Sequence, residues 1–373
     1  MRHRPTGDWH KMPIAILFSL ALGSAAVAQD AAPAAAEPDA LSASQWPDPA
    51  TAPAEILDIG RIQSSLLLDG ANARDRAVIV GDRGHVLVSE SRSEWRQVPV
   101  PTRTMLTAVT AVDNDVWAVG HDQVIIHSVD GGLTWTLQNS SAAADGPLLD
   151  VLFLDAQRGF AIGAYGQLLS TTDAGATWSA QLISDRIGGS VSKPAADTTA
   201  DSELSADEDS ELASTDIGED EGDPHLNAIA RTSAGLLILG EAGATYRSTD
   251  DGATWTRGNL PYEGSMFGAV ALDTNAVVVF GLRGNAFATD DLGLTWRRLE
   301  TGTEASLLGG APVQGGRAVI VGASGTVLLL PAGSDQLRGY TFAAGGVMSG
   351  VLPLTETEFL TIGENGLAPY QPN

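Results

Sequence analysis

Short apolar runs, each stopped by a glycine, recur along the chain, as in Ala77-Val-Ile-Val-Gly81 and Leu236-Leu-Ile-Leu-Gly240. The closing glycines are Gly81, Gly120, Gly163, Gly240, Gly281, Gly322 and Gly363, at intervals of 39, 43, 77, 41, 41 and 41 residues. The long interval reads as one ordinary repeat plus an insertion, so the chain holds seven units. In six of them a second glycine follows three residues later, Gln123 being the exception, and an alternating strand comes next. A period near 40 with several short strands per unit predicts an all-β, seven-bladed β-propeller whose blades bury their sheets against one another.

Four units then run into an octapeptide: Ser128 to Trp135, Thr171 to Trp178, Ser248 to Trp255 and Thr289 to Trp296. Each follows the Asp-box pattern Ser/Thr-x-Asp-x-Gly-x-Thr-Trp. In such a box Asp130, Asp173, Asp250 and Asp291 accept main-chain N–H groups of their own hairpin, and glycine supplies the positive φ of the turn. Trp135, Trp178, Trp255 and Trp296 begin the fourth strands. One carboxylate repeated in every box reads as frame rather than as catalysis. The last unit stops at its third strand, so the segment from Ala54 to Ile62 is expected to supply the missing fourth strand and close the ring.

Arg2, Arg4 and Lys11 precede an apolar stretch that ends near Leu22, and Ala26-Val-Ala28 offers a small-residue cleavage site. Residues 1–28 therefore read as a cleaved export signal, since the stretch falls short of the ~20 residues of a spanning helix. An uncleaved anchor is the alternative. Residues 29–53, rich in Ala, Pro, Ser and Asp, read as a solvated tether, and 54–373 as one propeller domain. A chain without cysteine can carry neither a lipidated cysteine nor a disulfide, and the expected compartment is the periplasm. The formal net charge of −25 argues against nucleic acid. Twelve acidic and no basic residues between Ala195 and Asp223 mark a disordered insertion over 184–223, expected to emerge on the turn-bearing face. Asp207, Asp209 and Glu211 alternate as in a calcium loop, without the turning glycine such a loop needs.

The phrase Trp117-Ala-Val-Gly120 through Trp135, repeated as Phe160-Ala-Ile-Gly163 through Trp178, resembles the photosystem II stability/assembly factor-like propellers, a branch of the Asp-box (BNR) repeat class. The resemblance implies a non-enzymatic scaffold that holds a membrane-protein partner during assembly. Bacterial members outside photosynthesis extend the implied partners to exporters of the resistance-nodulation-division (RND) type. No cofactor is expected, and His121 and His127 lack metal-ligand spacing. Sialidases share the Asp-box, so a glycan-binding or glycan-cleaving protein is the alternative. Against it, Arg61-Ile62 is followed by Gln63 instead of proline, and sialidases have six blades.

If repetition fixes the frame, function belongs where the units differ. The two residues inside each Gly-x-x-Gly turn differ, and the connections between blades reach the same side. Arg83, Arg103, His121, Tyr165, Tyr262, Arg283, Arg338 and Tyr340 are the candidate partner-binding residues, arginine and tyrosine being favoured at binding hot spots. The chain by itself is expected to be a monomer.

Overall fold

The computed structural model describes residues 47–141, 146–188, 222–272 and 275–372. The leader, most of the tether and the body of the acidic insertion lie outside them. Seven antiparallel sheets follow one another along the chain, six of four strands and one of three. Blade 1 consists of Leu67–Asn72, Ala77–Gly81, Val86–Ser89 and Arg96–Gln97. Blades 2 to 7 occupy residues 106–139, 148–182, 226–259, 266–298, 307–341 and 348–370.

The apolar runs are continuous because the second strand is covered on both faces. In blade 1, Val78 and Val80 enter the seam with blade 2, while Ala77 and Ile79 enter the seam with blade 7. Seven such apolar clusters fill the seams. The ring is closed, since Leu67, Ile79 and Leu87 share a cluster with Leu352, Leu360 and Ile362.

The periodic glycines have a steric cause. After each one, the next N–H donates to the carbonyl just ahead of the first strand of the same blade, as in His121 N to Met105 O at 3.0 Å and Glu364 N to Val347 O at 3.0 Å. A Cβ on Gly120 would sit on that Met105 oxygen. The same reach forces one extra residue into every first strand, so all seven carry a β-bulge at its start.

The Asp-boxes repeat one bonding scheme. Ser248 Oγ donates to Asp250 Oδ1 at 2.7 Å and accepts from Gly252 N at 2.8 Å. Asp250 also accepts the Thr254 N–H at 2.9 Å and the Thr254 hydroxyl at 2.6 Å. Each box leans on the preceding blade: Gly132 faces Val78 and Val88, Gly252 faces Phe160, and Gly293 faces Leu237. The box is thus a clasp across a seam as well as a hairpin closure.

The expected closing strand is not formed, and the seventh sheet keeps three strands. Asp58 Oδ1 instead accepts the Gly60 N–H at 2.9 Å and caps a one-turn helix, Ile59–Ile62. That helix drives Ile62, fully buried, into the seam between blades 7 and 1. Ahead of it, Ala54 N donates to Val100 O at 3.1 Å and Leu57 N to Gln97 Oε1 at 2.8 Å, so this segment lies along blade 1. On the open edge of blade 7, Leu367 N donates to Gln63 O at 3.0 Å. Two residues on, Pro369 has no N–H to offer a further strand. Residues 47–53, read as the end of the tether, are held too: Ala50 is buried and Arg103 N donates to Pro49 O at 3.0 Å.

Gly120→Ala is expected to cost about 3 kcal/mol or more, since backbone must move to clear the Met105 carbonyl. A thermal melt of the variant within a degree of the parent would refute this account of the repeat.

Candidate functional site

In the turns of blades 1 to 6 the second inner residue takes left-handed backbone: Arg83, Asp122, Tyr165, Ala242, Arg283 and Ser324 have φ between 51° and 58°, whereas Asn365 of blade 7 does not. This conformation, costing about 1–2 kcal/mol for a residue with a Cβ, turns the side chain away from the ladder. The Arg83 side chain is 76% exposed and Tyr165 is 54% exposed. These apices ring one face and vary in chemistry from blade to blade over a fixed backbone.

Arg83, Tyr165 and Arg283 stand at such apices. His121 is exposed one position earlier, and Asp122 holds the apex of blade 2, accepting from the Thr104 hydroxyl at 3.1 Å. Tyr165 meets His225 edge-on, with ring centres 4.7 Å apart. His225 was not singled out in the sequence, because it lies beyond the insertion in a stretch without repeat pattern. Arg103 reaches this face but donates from its guanidinium to Pro47 O at 2.9 Å, clamping the entering segment. Tyr262 is half-buried, with its hydroxyl on Leu282 O at 3.3 Å and its ring beside Phe287, so it braces the turn of blade 5. Tyr340 packs into the seam of blades 6 and 7. Arg338 departs from expectation. It begins the fourth strand of blade 6 opposite Leu329, whereas Thr341 of that strand pairs with Thr326 beside the turn. Arg338 therefore points from the outer rim, toward the Asp-box end. Among the described residues Arg283 makes no ion pair.

The insertion enters at a place the sequence did not indicate. Trp255 N donates to Arg186 O at 3.0 Å and Gly188 N to Trp255 O at 3.1 Å, so the chain leaves beside the box of blade 4. It returns at Pro224, whose carbonyl accepts the Gly166 N–H in the turn of blade 3 at 3.0 Å. The outgoing end starts at the turn face as well, where Leu182 pairs with Gln167 and Ser184 Oγ donates to Asp223 Oδ2 at 2.6 Å, before the chain crosses to the box of blade 4.

The opposite face carries the boxes and a belt of ion pairs between neighbouring blades. Arg74 meets Asp113 at 3.1 Å, Arg158 meets Asp251 at 3.0 Å, and Arg317 meets Glu356 at 3.0 Å. Arg297 pairs with Asp290 and reaches Asp335 of blade 6. Exposed pairs of this kind contribute about 0–1 kcal/mol each. They do neutralise Arg74, Arg158, Arg297 and Arg317.

The central channel, about 530 Å³, is lined by the bulged first strands. Polar side chains here tie blade to blade. Thr107 Oγ1 donates to Leu148 O at 2.7 Å, Asn227 Nδ2 to Met266 O at 2.9 Å, and Ser349 Oγ to Leu67 O at 3.1 Å. Asp69 accepts the Val109 N–H at 2.9 Å and Asp150 the Ile229 N–H at 2.8 Å. Burial pushes Asp69 up to about 6 and Asp150 up to about 7, against the pull of those N–H bonds. Both keep part of their surface open to the channel, which moderates the cost of ionising them. Among the described residues the lining has no arginine, lysine, histidine, tyrosine or glutamate. It therefore offers neither the arginine triad nor the Tyr/Glu nucleophile pair of a sialidase. His127 has one ring nitrogen on Asp115 at 2.9 Å and the other on the Gln138 amide at 3.2 Å, stacked on Trp117. Among the described residues no three His, Asp or Glu side chains converge as a metal site.

Residues 87–220 match the family model described as Photosynthesis system II assembly factor YCF48. An 80-residue segment is 34% identical to the photosystem II assembly protein Ycf48 of Synechococcus sp. strain JA-3-3Ab, covering 20% of this chain and 24% of that one. A 143-residue segment is 29% identical to the photosystem II assembly lipoprotein Ycf48 of Prochlorococcus marinus, covering 30% and 36%. The matched segments thus span about a quarter to a third of these relatives' length. Among solved structures, YCF48 bound to D1 peptide superposes with a TM-score of 0.60 at 14% identity, over 83% of this chain and 93% of that one. YCF48 from Cyanidioschyzon merolae gives 0.61 at 15%, over 86% and 98%. At these identities the structural likeness is one of fold.

Opposed carboxylates set the pH dependence of stability. The hydroxyl and N–H of Thr254 and the Ser248 hydroxyl hold Asp250 down at about 2, so its contribution is present above pH 4 and lost as pH falls toward 2. Asp69 and Asp150 are raised above their unfolded values, so the folded chain holds extra protons between about pH 4 and 7. Their contribution accordingly declines across that window as pH rises. Asp69→Asn keeps an acceptor for Val109, removes one titration and relieves the charge that helps raise Asp150. The melting temperature of the parent should fall between pH 4.5 and 8, and that of the variant should fall distinctly less. Parallel curves would show that the channel carboxylates do not titrate there.

Proposed function

We propose that this chain, a photosystem II assembly factor-like β-propeller of the Asp-box class, is an exported, non-enzymatic scaffold that receives a segment of a membrane-protein partner on its turn face. The observation that carries the reading is the ring of left-handed apices, where Arg83, Tyr165 beside His225, and Arg283 stand exposed on glycine-locked turns. A surface fixed in this way loses little conformational entropy on binding. Guanidinium groups on both sides of an aromatic pair suit an extended peptide with carboxylates.

The fold neighbour solved with D1 peptide is a protein of this shape holding a peptide segment. A relative described as a lipoprotein accords with export. Among the described residues no helix is long and apolar enough to cross a membrane, so on this reading the partner supplies the membrane contact. The role is that of an assembly or accessory factor, and an RND-type exporter is one partner class that the family resemblance admits. The glycosidase alternative lacks a supporting observation, because both channel carboxylates are engaged by main-chain N–H groups and no nucleophile stands beside them.

Crosslinking followed by affinity capture from intact cells tests the reading. Tagged parent chain should bring down membrane subunits, and Arg83→Glu combined with Arg283→Glu should lose them at least tenfold with an unchanged melting temperature. Equal recovery by the double variant, or recovery of glycan alone, would overturn the assignment. Asp250→Ala separates frame from face. It should lower stability by about 1 kcal/mol while leaving capture per folded molecule intact.

A further inference from the structure

The Asp-box face has a second feature that the turn face does not explain. Where a box is present, it plugs the seam with the blade before it: Leu292, buried, packs among Leu237 and Leu239, and Trp255 packs beside Phe160. Blade 6 has no box. Its short link at 331–336 swings outward, and Leu337 N donates to Glu300 O at 2.9 Å along the edge of blade 5. The seam between blades 5 and 6 is left with a cavity of about 630 Å³. The floor is apolar, made of Val278, Ala288, Leu299 and Leu330, all buried. At the mouth stand Asp290, Arg297 and Asp335. The two carboxylates share one guanidinium, so the rim carries net negative charge.

We infer that this cavity is a second docking site, independent of the turn face, for a partner segment that inserts one aromatic or aliphatic side chain flanked by lysine or arginine. Two observations fix the occupant. The seam of blades 3 and 4 is filled by Trp255, ahead of the fourth strand of blade 4, whereas in this seam the smaller Leu337 holds that place, buried among Val278, Leu299 and Leu330, and leaves room above it for a further apolar side chain. The charge of the mouth, in a chain with 46 acidic against 21 basic residues, selects cationic flanks. Burying an anchor of this size in a desolvated pocket is the usual source of a binding hot spot. A scaffold with peptide sites on both faces can hold two segments of one partner, or two partners, on opposite sides of the ring.

The test uses the full chain and three labelled probe peptides, Gly-Lys-Phe-Lys-Gly, Gly-Lys-Ser-Lys-Gly and Gly-Glu-Phe-Glu-Gly. The first should bind by fluorescence anisotropy and shift the methyl resonances of Val278, Leu299 and Leu330, while the other two bind at least tenfold more weakly. Ala288→Phe fills the floor and should lower affinity at least tenfold. Should that variant fail to fold, Asp290→Lys with Asp335→Lys, both exposed, should instead reverse the preference between the lysine and glutamate probes. Equal binding of the serine probe would reduce the site to surface charge and overturn the inference. Unmoved methyl resonances would overturn it as well. A dimer of the parent that Ala288→Phe dissolves would assign the cavity to a second copy.

Discussion

Seven times a main-chain N–H just past a glycine reaches back to the carbonyl that opens its own blade, and most of the architecture depends on that reach. It sets the register of the first two strands and excludes any side chain at the glycine. The extra residue it demands appears as the bulge whose side chains line the channel and bind the next blade. On the other side of the turn, in blades 1 to 6, the following residue is placed in left-handed backbone. Channel and display face are therefore two ends of one constraint. A blade that kept the strand pattern but lost the glycine would lose both.

Local chemistry is what made the fold legible. Every bond of an Asp-box lies within eight residues, and every glycine-locked turn repeats at a fixed phase, so blade number and hairpin position could be read from the sequence. The closing segment could not. A missing last strand was visible, but its replacement depends on Ile62 meeting Ile362 across the whole chain. It depends also on Asp58 capping a helix turn ahead of Ile62 and on Pro369 blunting the edge. None of these is a repeat, and each is an ordinary residue until the ring brings it to the seam.

The candidate site was legible in type and only partly in position. The variable pair inside each turn was the right place to look, yet which member takes the left-handed position is a matter of backbone dihedral: in blade 2 it is Asp122, while His121 beside it is the more exposed. Arg338 was grouped with the face because connections between blades lie there, although it belongs to the strand preceding that connection. Asp69 and Asp150 did leave a signal. Each stands two residues after the leucine that opens its first strand, at a phase where the other units carry alanine or glycine. Superposing the first strands of the seven units would have exposed them. The ion-pair belt left none, since its members sit in turns of different length.

Degeneration of the boxes is not scattered around the ring. Blades 2 to 5 keep the full clasp, and blades 6, 7 and 1, which have lost or degraded it, are consecutive. Their seams are held by other contacts. Gly309 lets the first strands of blades 6 and 7 approach to backbone contact, Ser349 donates to Leu67 O, and Ile62 wedges the last seam from the amino-terminal side. A clasp made within one hairpin requires nothing distant to be in place, whereas the Ser349 and Ile62 contacts, which join blade 7 to blade 1, form only when the two ends of the chain meet. Relief from the clasp is what allows residues 331–336 to lie along the edge of blade 5 and the N-terminal segment to occupy the seam of blades 7 and 1. The closing arc is consequently where this propeller has surface to spare for roles other than holding itself together.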